Sequence, residues 1–500
     1  MQVTKNRIFA LVLIISIVIL AYILILALFV KSPLLTNIPI YLLTLFIIGI
    51  LAIVVLILKT FNWLTLLISN KFYLFILLIS TIIPRLIWVI FVNTKPISDF
   101  QLYHEYAVKA CNGIYNVFNP TYNVFPFKFG YPLILSMFYK YFGENVLTAK
   151  ILNIVSSAFL ALLIYWAGKS FVSERTGRFA SIFFALWPAQ IMYSSVLGVE
   201  HIFTPLLVLS FGLLVILEKS IQNKKTAYSI SIVIGIIIGI ANFAKPISII
   251  FFPIFLFYLF VFIKAQDILI KSCITKLKIL ILAVLSFAVC FMLICYPYSK
   301  VTGVPLWKSS SGFSFLIGTN YNTSGAYNAN DSLILKEFNF NYEKVHKESM
   351  DRAINRITSY PKQFLMLIEK KIIIQWSDDS FGQYWSTNNI EDSSFITMLI
   401  KNHTTWFLAV TQLFYLVVLL FCILGVLYSI KNSVYSSIIP LLIFLCLFAI
   451  HIFLEVQSRY HYPAMPFLFI MAGYGMEWFE HYICGRLILK NREDINCERL

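Results

Sequence analysis

The chain has 500 residues, of which 60% are hydrophobic, 17% aromatic and only 12% charged. Soluble domains run nearer roughly 45–50% apolar with about 25% charged residues, so this composition excludes a soluble globular protein and points to an integral membrane one. The net charge of +16 does not signal nucleic acid: much of the basic excess falls in short loops that alternate along the chain, the orientation pattern of a polytopic protein, with some attraction to anionic membrane lipid. The eight Cys are scattered and form neither a disulfide framework nor a metal spacing.

Apolar runs of roughly twenty residues can each cross a ~30 Å hydrocarbon core. They place spans near 8–30, 38–58, 72–93, 146–167, 179–194, 202–217, 227–242, 247–263, 279–296, 405–429, 436–453 and 464–482. The first run follows Lys5 and Arg7 and is too long for a signal-peptide core, so it reads as a retained span. An even number of spans puts both termini on one side. Lys59 and Lys71, Lys169, Arg175 and Arg178, Lys219, Lys224 and Lys225, then Lys264, Lys271, Lys276 and Lys278 mark that side as cytoplasmic, and Lys431 and the basic tail agree. The expected fold is an all-α integral membrane protein of about twelve transmembrane helices in the plasma membrane, with amphipathic surface helices in two long outer loops.

The first outer loop, 94–145, shows helical spacing in Leu102, Tyr103, Tyr106, Ala107 and Ala110 and again over Tyr131–Tyr141, which predicts two short surface helices. The second begins with a stretch rich in glycine, serine and asparagine, Ser309 to Asn330. An amphipathic helix near 342–358 follows, and Tyr360-Pro361 opens another over 361–376, since proline suits a first helical turn. The resulting organisation is two extra N-terminal helices (1–71), a membrane core (72–296) holding the first outer loop, an outer region (297–404), and C-terminal helices with a cytoplasmic tail (405–500).

Asp99, in Lys95-Pro96-Ile97-Ser98-Asp99-Phe100, is an acid placed where lipid tails give way to headgroups, with Tyr103, Glu105 and Tyr106 close behind. A carboxylate at that depth suits a general base whose pKa its surroundings can tune. The plainer reading is that Ser98 or Asp99 caps the helix starting at Phe100. Glu200-His201 forms a second polar point between two apolar spans. It reads as a carboxylate converging on the Asp99 site, as a helix cap, or, with a third group, as a divalent-metal site; two residues do not establish a metal, and no cofactor is assigned. Lys245, before Pro246, and Arg459, in Ser458-Arg459-Tyr460-His461-Tyr462-Pro463, are outer-turn cations suited to a lipid-linked phosphate, with snorkelling as the ordinary alternative. The strip Phe315–Gly325, with Asn320 and Tyr321, offers neutral hydrogen bonds that suit a sugar, or is simply a surface loop.

Taken in order along the chain, these features resemble the polytopic glycosyltransferases of the GT-C class, above all the bacterial protein-mannosyltransferase-like and aminoarabinose-transferase-like branch. The resemblance rests on the acid after an early core span, the surface-helix loop, the second acid, the Lys-Pro turn, and the segment Arg459-Tyr460-His461-Tyr462-Pro463-Ala464-Met465-Pro466, over roughly residues 72–482. It implies that Asp99 is the catalytic aspartate, that Glu200 is the second active-site acid, and that Lys245 and Arg459 hold the lipid phosphate. His201, Tyr103, Tyr460, Asn320 and Tyr321 then complete the substrate site. The chain departs from that pattern in the two spans ahead of the core and in Glu, rather than Asp, at position 200. The implied activity is inverting transfer of a sugar from a polyprenyl-phosphate donor to an extracytoplasmic acceptor: protein, lipid or glycan. The alternatives are a transporter or flippase, which shares the twelve-span count, and an envelope polysaccharide polymerase or ligase gripping a diphosphate lipid through Arg352 and Arg356.

Overall fold

The computed structural model describes residues 2–29, 69–116, 119–263, 269–308, 311–390 and 395–497; the span expected at 38–58 lies outside them. The fold is all-α. Among the described residues, eight helices are long and apolar enough to cross a membrane: Lys5–Phe29, Asn70–Phe91, Val146–Phe171, Glu200–Ser220, Lys224–Ala244, Lys271–Thr302, Thr404–Asn432 and Tyr435–Phe453. Pro246–Val261 is apolar but shorter. The last expected span falls within the Met465–Cys497 helix, which packs along Thr404–Asn432.

The largest departure from the expected spans is at 179–194. The helix Glu174–Ala185 stops, and a second one, Pro188–Tyr193, starts after two residues. Proline at the first position of the new helix forces Trp187 into extended backbone and ends the first helix. A break inside an apolar bundle leaves carbonyls without partners, and here Arg85 supplies them. Fully buried on the Asn70–Phe91 helix, its guanidinium donates to the carbonyls of Phe184 (3.1 Å) and Ala185 (2.9 Å), to Gln190 Oε1 (2.5 Å), and to the Thr81 carbonyl of its own helix (2.7 Å). Gln190 continues the chain by donating to Ser157 Oγ at 2.7 Å. Each acceptor is neutral, so the cation is held by helix-end dipoles rather than by a carboxylate.

The helices expected in the outer loops form close to their expected bounds. Asp99–Cys111 and Gly130–Phe142 pack together, with Phe100, Tyr106, Ala107 and Ala110 buried at the spacing of one helix face. Tyr342–Ser359 is capped by Asn341, whose side chain accepts from Lys344 N, and Pro361–Trp376 starts at its proline. The last carbonyls of Pro361–Trp376 and the residue beyond it are satisfied from other segments: Gln375 O faces His461 Nδ1 (2.7 Å), Trp376 O accepts from the Tyr415 hydroxyl (3.0 Å), and Ser377 O accepts from Gln412 (2.8 Å).

Replacing Arg85 with Met keeps the apolar stem and removes the guanidinium donors at the break. Each buried acceptor left unpaired costs about 1–3 kcal/mol, so the detergent-solubilised Arg85→Met protein is expected to melt several degrees below wild type. Arg85→Lys, lacking the planar fork, should not restore it. A wild-type melting temperature for Arg85→Met would remove Arg85 from this role.

Candidate active site

The charged side chains gather at the end of the bundle where Asn70–Phe91 finishes, Glu200–Ser220 begins and Lys224–Ala244 finishes. Ahead of Asp99, the Thr94 hydroxyl bonds both Ser195 Oγ (2.8 Å) and Ser386 O (2.6 Å), fixing where the chain leaves its span. Ser98 occupies the N-cap position with φ of 52° and makes no capping hydrogen bond. The capping reading therefore fails: the Asp99 carboxylate turns instead to Lys128, whose Nζ donates to Oδ1 at 2.8 Å. Burial works to raise the Asp99 pKa, but Lys128, helped by Arg459, outweighs it and holds the carboxyl below its ordinary value.

Glu200 is the first residue of its helix, where the helix dipole favours an acid. It is almost wholly buried and is paired twice: Lys245 Nζ donates to Oε1 at 3.0 Å, and the Tyr193 hydroxyl to Oε2 at 3.1 Å. Gly198 makes room for the second bond, because a Cβ there would sit 2.5 Å from the Tyr193 hydroxyl and 2.8 Å from Glu200 Oε2. Lys245 also lies over the Tyr460 ring, 5.3 Å from its centroid.

Arg459 is 8% exposed and sits in an aromatic box, its guanidinium carbon 4.9 Å from the Phe100 ring, 5.1 Å from Trp385 and 5.6 Å from Tyr460. Such faces suit a weakly hydrated planar cation. Asp99 and Glu200 both lie within electrostatic reach of it, and Tyr103, one helical turn after Asp99, faces all three. Glu455 joins from the segment ahead of Arg459, accepting from Gln457 at 3.0 Å; burial keeps its carboxyl above the ordinary carboxylate value despite Gln457, Arg459 and Lys128. Three carboxylates (Asp99, Glu200, Glu455) thus meet three cations (Lys128, Lys245, Arg459).

The structure therefore brings together Asp99, Glu200, Lys245, Arg459, Tyr460 and Tyr103. It sets His201 apart: its ring stacks on Tyr193, and Nε2 lies 3.1 Å from the Tyr193 carbonyl, so it packs the turn that leads into Glu200. Asn320 and Tyr321 belong to a different place. Asn320 donates to Asp331 (2.8 Å) and accepts from the backbone of Asn322, while Lys370 lies over the Tyr321 ring. Both line a separate cavity of about 210 Å³ with Thr319, Arg356, Tyr360 and Phe364. Among the described residues, no group of three or more His, Cys, Asp or Glu side chains forms a metal-binding set. Both Glu200 oxygens and one Asp99 oxygen already accept from protein donors.

Lys128 and Glu455 were not legible as site residues. Lys128 sits in an aromatic stretch that reads as interfacial belt, and Glu455 needs Arg459 nearby to acquire meaning. Its closeness to Arg459 in sequence was the one available signal.

No family model matches the sequence, and no curated protein matches it. Solved structures do. The oligosaccharyltransferase of Archaeoglobus fulgidus in its apo form matches with a TM-score of 0.49 and 14% identity, over 84% of this chain and 51% of that one. The same organism's oligosaccharyltransferase AglB, in complex with an inhibitory peptide and a dolichol-phosphate, matches with a TM-score of 0.45 and 12% identity, over 85% and 52%. ArnT from Cupriavidus metallidurans, bound to undecaprenyl phosphate, matches with a TM-score of 0.35 and 10% identity, over 83% and 77%. The chain spans about half the length of the archaeal proteins it matches. With TM-scores below 0.5, the chemistry has to be read from the side chains of the cavity.

The Glu200–Lys245 pair yields a direct test. Removing one member of a buried ion pair strands the other and costs about 3–5 kcal/mol. Lys245→Met should therefore melt well below wild type, and Glu200→Gln placed in the same chain should recover most of the loss. Additive losses in the double variant would show that the two groups do not depend on each other.

Proposed function

We propose that this chain is a membrane glycosyltransferase that moves a sugar from a polyprenyl-phosphate donor to an acceptor on the extracytoplasmic side, with inversion at the anomeric carbon. The observation that carries the reading is the cluster of acids and cations at one end of an apolar bundle, with Asp99 and Arg459 within electrostatic reach of each other. In this reading the cavity opens outward, both termini are cytoplasmic, and residues 1–71 anchor a catalytic core at 72–296. Nucleotide sugars are not expected outside the cell, which favours a lipid-linked donor.

The acceptor's oxygen or nitrogen attacks the anomeric carbon as the bond from that carbon to the phosphate oxygen breaks. The bonding electrons stay with the phosphate, and Asp99 takes the acceptor's proton. The cleaved phosphodiester gains a negative charge, which Arg459 and Lys245 stabilise as it grows. Lys128 serves both partners. While it holds Asp99 it keeps the base weak, and as charge develops on the phosphate its ammonium shifts there and the carboxylate becomes more basic. Tyr103 and Tyr460 bound the sugar pocket, and Glu200 holds Lys245 in place.

The polymerase or ligase reading loses support from its own arginines. Arg352 is engaged by Glu337 (2.8 Å) and Glu348 (2.9 Å), and Arg356 by Asp331 and the Leu316 carbonyl; neither is among the charged groups that surround Asp99 and Arg459.

Purified protein given radiolabelled polyprenyl-phosphate sugars should release label from the lipid. Asp99→Asn should bind the donor yet lose transfer by about 10²–10⁴-fold, the usual worth of a positioned general base; wild-type turnover in that variant would eliminate Asp99 as the base.

The pH profile tests Lys128. Lys128 holds the Asp99 pKa down, so the ionised base is lost only as pH falls below the ordinary carboxylate range. Lys128→Gln leaves burial opposed only by Arg459, so the acid limb of the rate profile should move to higher pH; an unmoved limb would show that Lys128 does not govern Asp99.

A further inference from the structure

One buried polar cluster lies outside the charged site and is used by none of the steps above. Asp379 and His461 are each fully buried. His461 Nε2 lies 2.9 Å from Asp379 Oδ1, and its Nδ1 lies 2.7 Å from the Gln375 carbonyl. The Trp187 indole N–H donates to the other carboxylate oxygen, Oδ2, at 2.6 Å. The ring is walled by Trp376, Phe381 and Tyr415.

Proton accounting constrains this cluster. A backbone carbonyl only accepts, so Nδ1 carries a hydrogen. The bond to Asp379 needs a second hydrogen, carried either by Nε2 or by the carboxyl. The unit is either an imidazolium beside a carboxylate or a neutral imidazole beside a carboxylic acid, and its net charge is zero in both. Such a pair satisfies its polar atoms without placing an uncompensated charge in the core.

What the cluster joins matters more than its protonation. Asp379 ties two segments to its own, and each of the three delivers a side chain to the charged cluster. Trp187 opens the Pro188–Tyr193 helix, which ends in the tyrosine that bonds Glu200. His461 lies two residues after Arg459 in the 3-10 helix Ser458–Ala464. Asp379 itself leads into the helix Phe381–Thr387, whose Trp385 forms one face of the Arg459 box. That last helix approaches Pro188–Tyr193 so closely that a Cβ on Gly382 would sit 1.8 Å from the Ala189 carbonyl.

We propose that Asp379, with His461 and Trp187, is a positioning unit that sets Arg459 and its aromatic box in register with Glu200. It touches no substrate and works through the segments it binds together. Its link to phosphate binding rests on the glycosyltransferase reading; its existence as a coupled unit does not.

Two measurements separate these claims. In melting experiments on the full-length protein in detergent, Asp379→Ala and His461→Ala should be strongly non-additive, the double variant melting little below the worse single one. Additive losses would overturn the unit. In titrations with a polyprenyl phosphate, Asp379→Ala should weaken binding on the order of tenfold or more, through misplacement of Arg459, and wild-type affinity in that variant would overturn its link to Arg459. Asp379→Asn guards against simple misfolding. Its amide donates to Nε2 of a neutral His461, whose Nδ1–H still reaches Gln375, while its oxygen accepts from Trp187, so every bond survives. It should bind polyprenyl phosphate within about threefold of wild type; loss comparable to Asp379→Ala would overturn the hydrogen-bonding account. If the wild-type protein binds no polyprenyl phosphate while the melting coupling holds, the functional reading fails and the structural unit stands.

Discussion

Arg85 donates to four acceptors around the gap between Glu174–Ala185 and Pro188–Tyr193, and the site end of the protein hangs on that gap. In hydrocarbon there is no water to satisfy carbonyls at an interrupted helix, so a break survives only where the protein brings its own donors. With the break held, Trp187 turns toward Asp379, Tyr193 reaches Glu200, and Glu200 can begin its own helix at the cavity floor. A continuous helix over the same residues would have carried these side chains in other directions.

The charged cluster shows how a dry protein keeps charge without losing stability. Its acids and cations balance, Glu200 is neutralised by Lys245, and the guanidinium of Arg459 lies against aromatic faces that tolerate a cation at low hydration cost. On the proposed reading, a donor phosphate would bind by exchange, drawing a lysine from a carboxylate and leaving that carboxylate a better base.

Positioning comes from the ends of helices rather than their middles. The C-terminal carbonyls of Pro361–Trp376 and the residue after it are capped by His461, Tyr415 and Gln412, side chains from two separate elements. Lys371 on the same helix, 2% exposed, donates to Gly318 O (2.9 Å) and Ile452 O (2.7 Å), tying the amide-rich strip to the segment that carries Glu455. Burial lowers the Lys371 pKa to about 7, with Glu455 opposing, consistent with an amine held by neutral carbonyls.

Periodicity and scarcity are what the sequence decides alone. Apolar runs show most of the spans, the 3.6-residue spacing shows Asp99–Cys111, Gly130–Phe142 and Tyr342–Ser359, and the rarity of charge singles out Asp99, Glu200, Lys245 and Arg459. Each of these is a local pattern, or a count against an apolar background. Tertiary structure alone decides which charges meet: Lys128 on Asp99, Lys245 on Glu200, Asp379 on His461, and Arg85 on a helix end a hundred residues away. It also places Asn320 and Tyr321 around a pocket with Arg356 and Tyr360, and replaces the expected 179–194 span with a broken one. The physical reason is that such pairings are set by how helices pack across the bundle. A hydrogen bond between distant residues leaves no spacing in the chain from which it can be read.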